Sequence, residues 1–436
     1  MSLGLLILLT AVYFIRPSEW VPGLMGTSLY LWIMVAAMIV SAEKLVRSLS
    51  PESLRAYPVS ACVAGLWVVT LVSELLNAGA WDAATGFGKA SVFYFLMVGV
   101  VDSRTKLALF LQSFAGVLFF VALLIILNYH GVVATNMGYA LAQTEDSTVG
   151  VSAVRVAAVG GATFDPNDTA ALVVLGILTS LHYTTLARPR PLRAVWLAAA
   201  VPMVYVLQLT DSRGGFLALM TGLGVYVVAR WGRKGVVAGL VLLPLVAAYV
   251  ASERMAGIGS ALRDDTGQNR IQFWCDGLLL FKRHFLLGTG PGGFVAHVGK
   301  AAHNTFVQAF AELGAAGGTL FLGAFAYGLW ANYRLVRPSN PEAEEEEGED
   351  EDRPERADPT VALVLSLLSA YAVGILALNH LFATNTLLVL GLATVVTALN
   401  DSRNTLPGVT LLARACVLSA VFVVATHVTA RLLVRW

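Results

Sequence analysis

The chain has 436 residues, of which 57% are hydrophobic and only 13% charged, and its mean hydropathy is +0.71. Soluble domains carry about 25% charged residues, so the composition excludes an ordinary water-soluble globular protein. A formal net charge of +1 argues against a nucleic-acid partner, which would need a dense cationic surface.

Apolar runs long enough to cross the roughly 30 Å hydrocarbon layer recur along almost the whole chain. They predict an all-α polytopic membrane protein with about twelve or thirteen spans. In chain order the apolar cores lie at 3–15, 26–42, 58–76, 84–101, 106–127, 168–187, 194–210, 214–230, 235–251, 305–332, 360–378, 384–399 and 408–432. The first is short and runs into Arg16-Pro17, which suits a tilted segment or a helical hairpin with its neighbour. It lacks a basic leader and a small-x-small site, so the N-terminus is expected to be retained rather than cleaved.

Lys and Arg divide unequally among the connections. With the N-terminus inside, the inner loops carry Lys44, Arg47, Arg55, Arg104, Lys106, Arg188, Arg190, Arg193, Arg230, Arg233, Lys234, Arg334, Arg337, Arg353 and Arg356. The outer loops carry few. By the positive-inside bias, the polar stretch from Gly288 to Phe306 then faces outward. Cys62 and Cys416 sit in apolar runs and Cys275 in an outer segment, so no disulfide framework follows.

Three polar segments exceed an ordinary connector: 128–167, 252–302 and 334–359. The last contains "EAEEEEGEDEDRPERADP", whose charge density forbids a packed core and predicts a disordered cytoplasmic linker. The expected organisation is therefore N-terminal transmembrane helices at 1–251, an outer periplasmic loop at 252–304, a transmembrane helix at 305–333, the acidic linker at 334–359 and C-terminal transmembrane helices at 360–436. Short amphipathic helices are expected within the outer loop. "DSR" occurs at Asp102, Asp211 and Asp401, each after an apolar run, and only the second falls on the outer side.

The chemistry-bearing residues concentrate in that outer loop and its margins. In "GQNRIQFWCDGLLLFKRHFLLG", Arg270 and Trp274 are four residues apart, while Ile271, Leu278 and Phe281 continue an apolar stripe. This pattern predicts an amphipathic helix in the membrane interface. Gly288, Gly290 and Gly293 satisfy G-x-G-x-x-G, but no strand-helix-strand context surrounds them. With Gly292, they are expected to let the backbone turn tightly and approach a ligand. Asn304 is placed to cap the following helix, and Asn304, Gln308 and Glu312 share one face. His303 then stands at a helix N-terminus, where free N–H groups favour an anion and a neutral imidazole could serve as base. A capping or interfacial role for the same histidine stays open. Arg213, in "DSRGG", adds a second guanidinium suited to phosphate oxygens, although an interfacial anchor would explain either arginine alone. His284, His297 and His303 lack the spacing and flanking carboxylates of a zinc site, so no metal is expected. His380 and Asn385 fall near another outer loop and could line an entrance. Two arginines, a helix N-terminus and a histidine on one face describe a pocket for a lipid-linked diphosphate.

"RIQFW", "LGTGPGGF" and "HNTFVQAFAELGAAG", with "SRGG" and "DPND" upstream, together resemble the bacterial O-antigen ligase and polymerase family. The resemblance runs from about Thr163 to Tyr333. It implies a GT-C-like integral membrane glycosyltransferase of the bacterial inner (plasma) membrane, with its site at the periplasmic face. The implied donor is an undecaprenyl-diphosphate-linked glycan, and the acceptor a lipid A-core or another glycan. Transfer with inversion is implied, without cofactor, nucleotide sugar or metal. Arg213, Arg270 and His303 match the positions that bind the diphosphate and activate the acceptor. Asn304, Gly290, Gly292, Gly293, Trp274 and Asp168 are the expected substrate-binding residues. A polysaccharide transporter or flippase is the competing reading, but it should show related halves and ionisable residues deep in its helices, and neither is evident.

Overall fold

The computed structural model describes residues 1–77, 81–132, 142–144, 153–157, 165–251, 265–336, 358–400 and 406–433. Within them the helices are α1 Ser2–Ile15, α2 Leu29–Val40, α3 Ala42–Ser48, α4 Pro51–Ala56, α5 Pro58–Leu76, α6 Asp82–Val100, α7 Arg104–Tyr129 and α8 Pro166–Leu186. They continue as α9 Arg190–Leu209, α10 Arg213–Ala251, α11 Asp265–Arg283, α12 Gly293–Val298, α13 Thr305–Val336, α14 Pro359–Gly374, α15 Thr384–Leu399 and α16 Gly408–Leu433. One antiparallel ribbon, β1 Ala142–Thr144 with β2 Ala153–Arg155, accompanies them. The acidic run from Glu342 to Ala357 lies outside the described residues, as do Asp401 and most of the 128–164 segment.

Among the described residues, ten helices are long and apolar enough to cross a membrane. This is a multi-pass all-α membrane protein. The sequence expectation of twelve or thirteen is higher for three reasons. The run at 26–42 becomes α2 and α3, bent by 83° at Ser41, which makes eleven if the pair counts as one broken span. The run at 384–399 is the 16-residue α15, shorter than the roughly 20 residues a perpendicular crossing needs. The run at 235–251 continues α10 beyond Gly232, whose φ of 53° and ψ of −130° interrupt the helix.

The chain forms two compact units. The first comprises Met1–Ser48, Leu96–Leu223 and Ser369–Gly374. In it α8 is the central element, buried along nearly its whole length between α7 and α9. Gly176 makes that packing possible, since a Cβ there would lie 2.4 Å from Met203 Sδ. At the N-terminus, Arg16 adopts a left-handed φ of 50° and closes α1 by donating its N–H to Val12 O. The Trp20 indole donates to Ile15 O at 2.9 Å, so the chain turns sharply at Arg16-Pro17.

The second unit comprises Leu49–Phe95, Gly224–Leu368 and Ile375–Trp436. Its central element is α13, which packs on α5, α11, α15 and α16. Phe306 meets Phe321 and Phe325 edge-on with ring centroids 5.4 and 5.6 Å apart, and Phe321 and Phe325 pack against each other at 5.3 Å. With no hydrophobic effect between helices in lipid, interhelical hydrogen bonds and close packing do the holding. The buried Tyr94 hydroxyl bridges Ser60 Oγ at 2.9 Å and Thr394 Oγ1 at 2.8 Å, tying α6 to α5 and α15. Asn332 Nδ2 donates to Gly328 O and to Ala393 O, tying α13 to α15.

Candidate functional site

The longest apolar run of the second unit is not one helix. Gly314 has φ 63° and ψ −160°, which breaks α13 into Thr305–Leu313 and a longer piece from Ala315 to Val336. At 1.5 Å per residue the second piece spans about 33 Å, enough to cross the bilayer alone. The single transmembrane helix expected at 305–333 is therefore a short helix followed by a full span. A broken membrane helix must satisfy its freed backbone groups elsewhere. Here the glycine-rich segment supplies the partners. Thr289 N donates to Ala311 O at 3.0 Å, and Gly290 N to Glu312 O at 2.9 Å. Ala315 N and Ala316 N donate to Phe285 O and Leu286 O at 2.7 and 3.1 Å. From α5, Ser73 Oγ donates to Leu287 O at 2.7 Å and approaches Glu312 O at 3.4 Å.

This pairing explains the glycines more directly than a ligand does. A Cβ on Gly288 would lie 2.2 Å from the Glu312 carbonyl carbon, and one on Gly314 2.5 Å from that of Leu286. Gly290 faces Asn77 and Gly293 faces Thr289 Oγ1. Of the residues expected to approach a ligand, Gly292 is the one with open space, its Cβ position meeting no atom within 4 Å. Its φ of 75° starts α12.

His303 and Asn304 sit where this brace meets the start of α13. Asn304 caps the helix as its position predicts, its Oδ1 accepting from Phe306 N at 3.0 Å and Val307 N at 3.2 Å. Gln308 Nε2 donates to Glu312 Oε2 at 3.1 Å, so the expected polar face forms. His303 has φ 46°, a left-handed conformation that costs a non-glycine residue about 1–2 kcal/mol. Its N–H donates to Asn379 Oδ1 at 3.0 Å. The loop carrying Asn379 is itself clamped to the helix start. Thr305 Oγ1 donates to Leu378 O at 2.8 Å while accepting from His380 N at 3.0 Å. Thr386 Oγ1 donates to His380 O at 2.7 Å. Asn385, at the head of α15, is 3% exposed, and its Oδ1 is buried without a hydrogen bond.

Arg270 and Trp274 lie on α11, which forms over the predicted stretch and is not among the spanning helices. It packs on α12 and α13 around a small apolar nucleus of Leu280, Phe294, Ala302 and Ala311, with Phe273 against it. Gly277 allows the approach, since a Cβ there would lie 2.5 Å from Val307 Cγ1. Arg270 is half-buried. The Trp274 indole nitrogen is buried and makes no hydrogen bond, which marks it as a donor in search of an acceptor. On the same helix, burial pushes the Asp276 carboxyl above its ordinary range. The second unit thus holds Arg270, Trp274, Gly290, Gly292, Gly293, His303 and Asn304 on three packed elements.

Asp168 and Arg213 belong to the first unit, where the "DPND" and "DSRGG" motifs meet. Asp165 caps α8 by accepting from Asn167 N and Asp168 N at 2.7 and 2.9 Å, and Asp168 Oδ2 accepts in return from Asp165 N. Ser212 Oγ donates to Asn167 Oδ1 at 2.8 Å and accepts from Gly215 N at 3.1 Å. Asp211 takes a positive φ of 48° just before Arg213, the first residue of α10. Asp168, read from the sequence as a substrate contact, is here the reciprocal member of a capping box.

Sequence reasoning passed over Asn379, Thr305, Ser73 and Glu74. Glu74 is 4% exposed and accepts from Ala83 N and Ala84 N at the start of α6. A carboxylate in an apolar run ("SELLNAGAWD") was the available signal, because a buried charge needs donors. For Asn379, the polar run "LNHLFATN" between two apolar segments was the signal.

A search of curated proteins finds no match. The family model described as O-antigen ligase matches residues 198–322. That segment is similar to the O-antigen ligases. It contains Arg213, Arg270, Trp274, Gly290, Gly292, Gly293, His303 and Asn304 and ends beyond the Gly314 break, whereas Asp168 and Asn379 lie outside it. This match supports an O-antigen-ligase-type function in polysaccharide assembly for this membrane protein.

Proposed function

We propose that the chain transfers a glycan from an undecaprenyl-diphosphate-linked donor to an acceptor hydroxyl at the periplasmic face of the bacterial inner membrane. His303 takes the proton of the acceptor hydroxyl. The oxygen then attacks the anomeric carbon from the face opposite the diphosphate, and the bond to the diphosphate oxygen breaks with inversion. Arg213 and Arg270 neutralise the departing diphosphate, an electrostatic contribution of a few kcal/mol each in a site of low polarity. The Trp274 indole N–H supplies a further donor for a phosphate or sugar oxygen, and the open side of Gly292 leaves room for the glycan. The reading calls on no metal and no nucleotide sugar.

The observation that carries it is His303. It lies in the O-antigen ligase segment in a strained conformation that a separate loop holds, and strain of this kind gathers at working sites. The test is complementation of a deletion strain with His303→Ala, Arg213→Ala and Arg270→Ala. Each should abolish the polysaccharide ladder at normal membrane abundance. Normal ladders from all three would overturn the assignment. The deletion strain also separates the two acceptor classes. A bare acceptor with accumulating lipid-linked polymer marks a ligase, and single repeats on the acceptor mark a polymerase.

A further inference from the structure

A cavity of about 780 Å³ lies in the second unit between α5, α13 and α16, at the ends of these helices remote from His303 and the glycine turn. Arg55, just before α5, and Arg414, in the second turn of α16, line it together with Tyr327 and Trp330 of α13. Almost all the remaining wall is apolar, and Cys62 and Gly323 form part of it. Both arginines are exposed and neither is in an ion pair among the described residues. By contrast, Arg334 stacks over the Trp330 ring at 4.9 Å, so that cation already has a partner.

Three features fix the chemistry of an occupant. Two unpaired guanidinium groups call for an anion and match phosphate oxygens in pairs. The apolar wall calls for hydrocarbon. The cavity sits at the helix ends that the Lys/Arg bias assigns to the cytoplasm, flanked by an interfacial tryptophan and tyrosine, which is headgroup depth. An arginine inside an apolar helix such as α16 is costly unless it snorkels or finds an anion. The outer face of α16 is exposed, with Val409, Leu412 and Val417 at 55 to 81%, so the cavity's α16 wall borders the bilayer. The chain's own acidic run, Glu342 to Asp352, could meet the charge, but its one apolar side chain is Ala343 and it could not fill the wall.

We propose that this cavity binds one anionic glycerophospholipid of the cytoplasmic leaflet, its phosphate against Arg55 and Arg414 and an acyl chain along Cys62 and Gly323. The site is separate from the glycan-transfer reading and stands whether or not that reading holds.

Native mass spectrometry of the purified full chain, reconstituted with phosphatidylglycerol or phosphatidylethanolamine, tests it. The wild type should retain one phosphatidylglycerol in preference to phosphatidylethanolamine. The Arg55→Gln/Arg414→Gln variant should lower that retention at least tenfold, in line with the attraction of each basic residue for anionic lipid. Gly323→Leu keeps both arginines but fills the hydrocarbon end, because a Cβ there already lies 3.4 Å from Ala415 Cβ and 3.9 Å from Cys62 Sγ. It should lose the lipid as well. Equal retention of the two lipids by the wild type, or equal phosphatidylglycerol retention by wild type and the double arginine variant, would overturn the proposal. So would an intact chain that retains no lipid until residues 342–352 are deleted, since the acidic run would then be the occupant.

Discussion

The backbone N–H of His303 points at the side-chain oxygen of Asn379, 3.0 Å away and 76 residues on in sequence. The hydrogen bond contributes about 1 kcal/mol, comparable with the strain of the left-handed φ it accompanies. On the proposed reading of His303 as the base, Asn379 is a positioning residue that acts through this hydrogen bond rather than through its own chemistry. Asn379→Ala should lower the transfer rate by ten- to a hundredfold, since a shift of about 1 Å in a reacting group costs that much. Asn379→Asp keeps an acceptor oxygen and should recover part of the loss. In a membrane-reconstituted transfer assay the effect should fall on kcat, with KM for the donor little changed. An alanine variant with unaltered kcat would remove Asn379 from the site.

The helix start at Asn304 was legible because capping is local: a side chain, two N–H groups and three residues decide it. The same is true of the amphipathic α11, whose stripe repeats within one segment. The break at Gly314 was not legible. "AELGAAGG" reads as uninterrupted apolar helix, and the left-handed glycine is favoured only because residues 285–290 arrive from another part of the chain to pair with the freed backbone. For the same reason the tight bend at the glycine turn is legible, while its packing against Glu312, Asn77 and Thr289 at Gly288, Gly290 and Gly293 is not. Asp168 has a second, local role that its motif position did not announce. Its carboxylate completes a cap three residues wide.

The glycines of the brace should separate sharply in their tolerance. Gly288 and Gly292 both have positive φ, 70° and 75°, so alanine at either costs roughly 1–2 kcal/mol of conformational strain. At Gly288 the added Cβ also meets the Glu312 backbone at 2.2 Å, and backbone cannot move aside without breaking the pairing. Gly288→Ala should therefore lower thermal stability in detergent much more than Gly292→Ala and should abolish transfer. Equal midpoints for the two variants would mean that the brace between residues 285–290 and 311–316 contributes little.

In the first unit, the Ser212 hydroxyl joins the motif before α10 to the one that caps α8. Ser212→Ala removes the bond to the half-buried Asn167 side chain, a loss of about 1 kcal/mol. Ser212→Thr can keep the hydroxyl and should be milder. Because Arg213 is the next residue, the alanine variant should also weaken transfer, with donor KM rising if the guanidinium is displaced. Unchanged stability and unchanged KM in Ser212→Ala would show that the two motifs are not mechanically linked.

Asp102, between α6 and α7, accepts from Lys44 Nζ at 2.6 Å and also from Lys106. Partial burial opposes its ionisation, but the hydrogen bonds from Lys106 and Lys44, followed by their charges, outweigh it and hold the carboxyl below the ordinary value of 3.8. A carboxylate depressed in the folded state contributes stability above its unfolded pKa of about 3.9, and that contribution disappears as pH falls through the lower folded value. At neutral pH, Asp102→Asn should therefore melt below the wild type. The gap should be small, because the Asp102 side chain is 46% exposed and water and salt screen the pair. It should narrow as pH is taken down through and below 3.8 and should shrink in high salt. A gap that stayed constant across that range would mean that the carboxylate acts here through packing rather than charge.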